Sequence, residues 1–185
     1  MNVVQRSGAS RATRSNGDLL LGEWACLGVL SAEPRHGFAV AALLRPDAEI
    51  GRIWSLSRPL TYRAIDQLIE RGLVEAVGSE PGAAGPNRTI LAATRSGRTR
   101  LRRWLQTPVE HLRDLRSELL LKIALAGRCG IAIDDMLVAQ QQRLDEQSQS
   151  LAAMAFDPNG AVVDTVSLWR YEATQAGRRF LSRLV

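Results

Sequence analysis

The sequence predicts a mostly helical α+β chain: an N-terminal winged helix-turn-helix, then an all-helical C-terminal dimerisation domain. Three observations carry that expectation. Apolar residues recur at helical spacing in a succession of stretches separated by proline and glycine. Two short β-prone segments, 73–77 and 88–93, flank a Gly/Pro-rich tip at 79–87. Positive charge gathers toward the front: residues 1–107 hold 15 basic and 9 acidic side chains, residues 108–185 hold 9 and 10. A chain of 185 residues, 45% of them hydrophobic, can bury one core or two small ones. The expected division is a basic disordered tail over 1–17, a winged helix-turn-helix over 18–107 and a helical domain over 108–185.

Residues 1–17 are polar and Gly/Ser-rich, too poor in apolar area to fold, though Arg6, Arg11 and Arg14 could serve as an arm toward phosphates. The first helix spans 19–32, with Asp18 as N-cap, Leu20, Trp24, Leu27 and Leu30 as one stripe, and Pro34 as the stop. The second begins at His36-Gly37, with Phe38, Val40, Ala41 and Leu44 inward, and ends at Pro46. After a connector over 47–56, a third helix starts near Pro59, a residue suited to the first turn. Thr61, Ala64, Ile65 and Leu68 make its inner face, and Arg58, Tyr62, Arg63, Asp66 and Gln67 remain outward. Gly72 fits a left-handed C-cap. The tip at 79–87 is long for a tight hairpin and reads as a mobile wing. Thr94 caps a fourth helix to Leu105, and Pro108 breaks it. Further helices are expected over 112–126, 134–155 and 162–184, parted by the glycines near 127–130 and by Asp157-Pro158-Asn159-Gly160. The last carries Val162, Val166, Trp169, Ala173, Ala176 and Phe180 in steps of four and three, an a/d pattern. Two helices joined by a short turn cannot cover both apolar faces, so these six residues are the expected homodimer interface.

The net charge is +5, and of the basic residues 23 are arginine and one is Lys122. A high-GC coding bias would give the same ratio, but not the placement. Residues 88–103 contain six arginines and no acid, an arrangement suited to a polyanion, because guanidinium bonds phosphate bidentately.

In this order the motifs resemble the PadR family of bacterial transcriptional regulators. They are His36-Gly37-Phe38; Ser57 with Tyr62-x-Ala64-Ile65-x-x-Leu68-x-x-x-Gly72-Leu73-Val74; Gly85-Pro86-Asn87-Arg88 followed by Thr94-x-x-Gly97-x-x-x-Leu101-x-x-Trp104; and Arg116-Ser117-Glu118-Leu119-Leu120-Leu121-Lys122-Ile123-Ala124-Leu125. The resemblance covers about residues 19–185 and is to the long form with a C-terminal helical domain. Where the family usually has Pro-Gly-Thr-Leu-Tyr-Pro, this chain has Arg58-Pro59-Leu60-Thr61-Tyr62-Arg63, with the Thr/Leu order exchanged and arginine in place of the second proline. The resemblance implies a sequence-specific DNA-binding regulator, a repressor acting as a homodimer on a pseudo-palindromic operator and modulated by a small molecule or other signal.

The expected DNA contacts are Arg58, Thr61, Tyr62, Arg63, Gln67, Arg88 and Arg95. Arginine can read guanine or neutralise phosphate, and Tyr62 can donate its hydroxyl to either kind of edge. Trp24 and Trp104 lie on apolar stripes and are core residues by default; the resemblance also makes them candidates to flank an effector. His36 reads as a helix cap, its only fellow being His111, with no Cys or acidic cluster at ligand spacing. Cys26 and Cys129 read as free thiols in apolar surroundings. No cofactor and no metal are expected. No nucleophile elbow, phosphate loop or poised carboxylate pair points to an enzyme. The first apolar run is too short and interrupted to span a bilayer, so the expectation is a cytoplasmic protein with double-stranded DNA, a second copy and an effector as partners, and no membrane. The competing reading is a winged helix used for protein interaction without DNA.

Overall fold

The computed structural model describes residues 19–82 and 85–184; the expected tail and the Asp18 cap lie outside them. The first helix, α1 (Leu21–Ala32), starts instead from Leu20, whose backbone N–H donates to Glu23 Oε2 at 2.8 Å. Glu23 is buried, and the Arg71 guanidinium stands 3.6 Å away. Trp24, Leu27 and Leu30 are buried as the stripe requires, whereas Leu20, which precedes the helix as its cap, is 47% exposed; Ala25, Cys26 and Val29 are buried as well. A helix apolar all round belongs in the centre of a domain, and α1 is the axle on which the other N-terminal elements pack.

Strand β1 (Arg35–His36) leads into α2 (Gly37–Leu43). His36 caps that helix as expected, its Nδ1 accepting from Ala39 N–H at 3.1 Å. The connector folds back onto α2 through Gly51 N–H to Leu43 O and Leu56 N–H to Leu44 O, burying Ile50. Helix α3 (Arg58–Glu70) ends at Gly72, whose φ of 66° is the left-handed cap the sequence promised.

The wing departs from expectation. Strands β2 (Val74–Gly82) and β3 (Gly85–Ala93) run almost to the tip and pair as far as Gly82 opposite Gly85, so the nine-residue loop expected over 79–87 is mostly strand. Two register shifts, between Ala76 and Gly78 and between Glu80 and Gly82, let Pro81 sit in the ribbon. The sheet order is β1-β3-β2, antiparallel throughout. Thr94 then caps α4 (Arg95–Leu105): its Oγ1 accepts from Gly97 N–H at 3.0 Å and donates to Gly72 O at 2.8 Å.

After α4 the chain is held by Gln140, which accepts from Val109 N–H at 2.7 Å and donates to Val109 O at 3.3 Å, all buried. The single helix expected over 112–126 is a 3-10 turn (Leu112–Asp114), a π turn (Leu115–Leu119) and then α5 (Leu120–Cys129), closed by Gly130 at φ 62°. Beyond the expected division at 107/108, α5 still buries Leu121, Leu125 and Ala126 in the core around α1. A second, smaller core joins Val109, Leu119, Met136, Leu137, Leu144 and Leu181. Cys26 is buried, which pushes its thiol up to about 12 with help from the Glu23 charge. The half-buried Cys129 is likewise raised by burial and donates its Sγ to Gly28 O at 3.4 Å.

Helices α6 (Asp134–Ala155) and α7 (Thr165–Leu181) pack antiparallel, with Gln175 donating to Ser148 Oγ and Arg178 paired with Asp145. The last helix starts three residues later than expected. Asp164 accepts from Val166 and Ser167 N–H, which fixes the N-terminus, and hydrogen bonding from Ser167, side chain first and then backbone, with Val166 after it, holds its carboxyl below the usual range. Val162 therefore stands before the helix, in a β-bridge with Phe156.

The expected apolar seam is present, but it is not what packs on α6. Small polar residues Ser167 and Thr174, with Leu181, are the buried positions of α7. Val162, Val166, Trp169, Ala176 and Phe180 are exposed, Trp169 by 72%, and Ala173 is half-buried. With the segment from His111 to Leu120 and the end of α6, this face encloses a groove of about 1360 Å³ floored by Leu112, Leu115, Leu151 and Met154.

Candidate nucleic-acid interface

Helix α3 divides cleanly into two faces. Ala64, Ile65 and Leu68 enter the core around α1, which anchors the helix and leaves the opposite side to solvent. Thr61 belongs to the inner face. It is 0% exposed, and its Oγ1 donates to Ser57 O at 3.1 Å. Expected among the DNA contacts, it is instead a buried residue whose hydroxyl is satisfied inside the first turn. Arg58, Pro59, Leu60, Tyr62, Arg63, Asp66 and Glu70 are exposed. Gln67 is half-buried, with its amide donating to Glu70 at 2.8 Å, so it is committed along its own helix.

The His-Gly-aromatic motif acquires a physical meaning at this face. His36 caps α2, and Gly37 makes room for α3: a Cβ there would meet Tyr62 Cε1 at 2.8 Å. The Tyr62 ring thus lies on the α2 backbone while the residue stays 41% exposed. Phe38 corrects the sequence reading. Expected inward, it is 49% exposed, and the Arg58 guanidinium carbon stands 4.8 Å from its ring centroid. That cation–π contact restrains a long side chain at the start of α3. Sequence reasoning missed it because position 38 falls on the same helical stripe as the buried Ala41; only the surface beside α3 shows that Phe38 meets Arg58 and solvent rather than the core.

The wing supplies a second basic element. Arg88 is exposed on β3, opposite Glu80 in the ribbon register. Arg95 opens α4 and is exposed, and Arg98 donates to Ala93 O. Among the described residues, Arg63, Arg88 and Arg95 form no ion pair. Their guanidinium groups face water, whereas Arg35, Arg45 and Arg71 each have a carboxylate partner.

Trp24 and Trp104 are brought together, stacked on each other with centroids 4.6 Å apart and planes 7° from parallel. Trp24 is buried and Trp104 half-buried. Lys122 Nζ lies 4.9 Å from the Trp104 centroid. The lysine is 1% exposed and is satisfied by Thr107 O at 2.6 Å and Glu118 Oε1 at 2.8 Å. The stack leaves no gap between the two rings for a ligand. Among the described residues no group of His, Cys, Asp and Glu could hold a metal ion, and no helix is long and apolar enough to cross a membrane.

No family model and no curated protein matches this sequence. Solved structures do match along most of its length. Bacillus subtilis PadR in complex with operator DNA is 16% identical, over 88% of this chain and 96% of that one, with a TM-score of 0.45. A PadR-like transcriptional regulator from Bacillus cereus is 20% identical over 91% and 96%, with a TM-score of 0.41. The Vibrio cholerae virulence activator AphA is 20% identical over 88% and 90%, with a TM-score of 0.39.

Proposed function

We propose that this chain is a PadR-like transcriptional regulator: a homodimer that binds double-stranded DNA sequence-specifically and acts as a repressor on a pseudo-palindromic operator. The observation that carries this reading is the outer face of α3. Its inner side is fully packed, and its outer side offers Arg58, Tyr62 and Arg63 to a groove while Arg88 and Arg95 stand on and beside the wing; Arg63, Arg88 and Arg95 have no ion-pair partner among the described residues. A helix of this size fits the major groove, and flanking arginines neutralise phosphates. Support for the second copy comes from α7. Val166, Trp169 and Phe180 are exposed together over an apolar groove, and a contiguous apolar patch of that kind belongs in an interface. Two α3 helices would then enter grooves about one helical turn, roughly 34–36 Å, apart. A small molecule or partner that alters how α7 pairs would change that spacing and hence the affinity for DNA.

The test is a gel-shift with the promoter region of the chain's own gene at low and moderate salt. The expected result is a sequence-preferring complex that weakens steeply with salt and is lost in Arg63→Glu and Arg88→Glu. Each phosphate-contacting arginine removed should lower the slope of log K against log salt by about 1. Absence of any such complex under both conditions would refute DNA binding.

A further inference from the structure

Leu60 sits one residue past Pro59 on the first exposed turn of α3 and is 51% exposed. An apolar side chain there leaves about half of its surface to solvent, while Thr61 beside it is fully buried. Leu60, Arg63 and Gln67 follow at i, i+3 and i+7 and form one stripe along the helix. Gln67 is tied to Glu70, so the stripe presents one apolar and one cationic group to whatever lies in front of it. Arg58, held on Phe38, flanks the same turn.

We infer that Leu60 is a specificity-determining residue that reads the 5-methyl group of a thymine, with Arg63 on a neighbouring guanine; the inference rests on the DNA-binding reading above. The chemistry singles out thymine. On the floor of the major groove its methyl is the apolar group that protrudes; cytosine offers only a flush C5–H at that place, and the remaining edge groups are hydrogen-bond donors or acceptors that leucine would desolvate without compensation. Arginine meets the two acceptors of guanine in a bidentate fork. The spacing fixes the register. Three residues of helix advance about 4.5 Å, against about 3.4 Å for each base pair, so the thymine lies one or two base pairs from the guanine in each half-site. Asp66, exposed on the same outer face, disfavours phosphate close to the helix middle and so keeps the basic contacts at its start.

The experiment begins with the full chain selecting binding sites from a random duplex pool. Each thymine of the recovered half-site is then replaced singly by deoxyuridine, which removes only the methyl. The expected result is one thymine per half-site whose replacement weakens binding about fourfold, the factor that corresponds to about 0.8 kcal/mol for one buried methyl. Leu60→Ala should lose a similar factor on the thymine duplex and be indifferent to uracil at that position, with an unchanged melting curve because the side chain is exposed. Binding within twofold for every uracil duplex, or a Leu60→Ala protein that still senses the methyl, overturns the inference while leaving DNA binding intact. Failure to recover any sequence overturns both, and the selection step alone reveals it.

Discussion

Replacing Gly97 with alanine sets two effects against each other with opposite signs. Gly97 is the third residue of α4, and in a helix alanine is favoured over glycine by about 1 kcal/mol. Propensity alone therefore predicts a more stable protein. A Cβ at this position, however, would stand 2.1 Å from Leu73 O and 3.1 Å from Leu27 Cδ1. A comfortable carbon–oxygen contact is about 3.3 Å, so α4 and the start of β2 must separate by roughly 1 Å. Backbone cannot step aside as a side-chain tip can. Leu73 O also accepts from Thr94 N–H at 2.9 Å, a bond worth about 1 kcal/mol net, and overpacking adds about 1–3 kcal/mol. The net expectation for Gly97→Ala is a loss of about 2 kcal/mol. Gly127→Ala is the control: it lies in α5 with nothing within 4 Å of the added carbon, and should gain about 0.5–1 kcal/mol. Urea unfolding followed by tryptophan fluorescence measures both, since the Trp24–Trp104 stack reports on the same core. A Gly97→Ala protein as stable as the parent would refute the steric argument.

Lys122 offers a test by pH. Burial lowers its pKa below the ordinary 10.5, against the opposing pull of Glu118 and Asp114. The cost of the buried charge is therefore present in full below the folded pKa and fades as pH rises from there toward 10.5. Lys122→Met, similar in volume and uncharged, should lack that alkaline gain and be close to neutral in stability near pH 7, whereas Lys122→Ala should lose about 3 kcal/mol, both read from urea curves across pH. Gln140→Leu removes both bonds to buried Val109 and should cost about 2–3 kcal/mol in the same assay. Trp169→Glu should weaken self-association at least about tenfold in sedimentation while leaving the circular dichroism spectrum unchanged, since the side chain is 72% exposed; a dimer indifferent to it would exclude this face as the interface.

The residue pattern by itself determined what depends on near neighbours along the chain. The 134–155 helix, the Gly72 cap, the His36 and Thr94 caps and the inner face of α3 follow from periodicity and from which residues can satisfy a helix end. What depends on distant chain was not legible there. Periodicity marks a stripe as apolar without saying what will cover it. Phe38 and Ala41 share a stripe, yet one faces Arg58 and the other the core. The seam of α7 was visible as a pattern, but only the packing shows that α6 takes the small polar face of Ser167 and Thr174 and leaves Trp169 outside. Periodicity puts Thr61 on the inner face of α3 and the family resemblance puts it among the DNA contacts; its complete burial and its bond to Ser57 O decide for the first. Likewise the added strand β1 arises from a pairing between segments far apart in sequence, Arg35 with Leu91 and His36 with Ile90. Local propensity is a property of a few consecutive residues; exposure is a property of the whole surface, and it is settled only when every other element has taken its place.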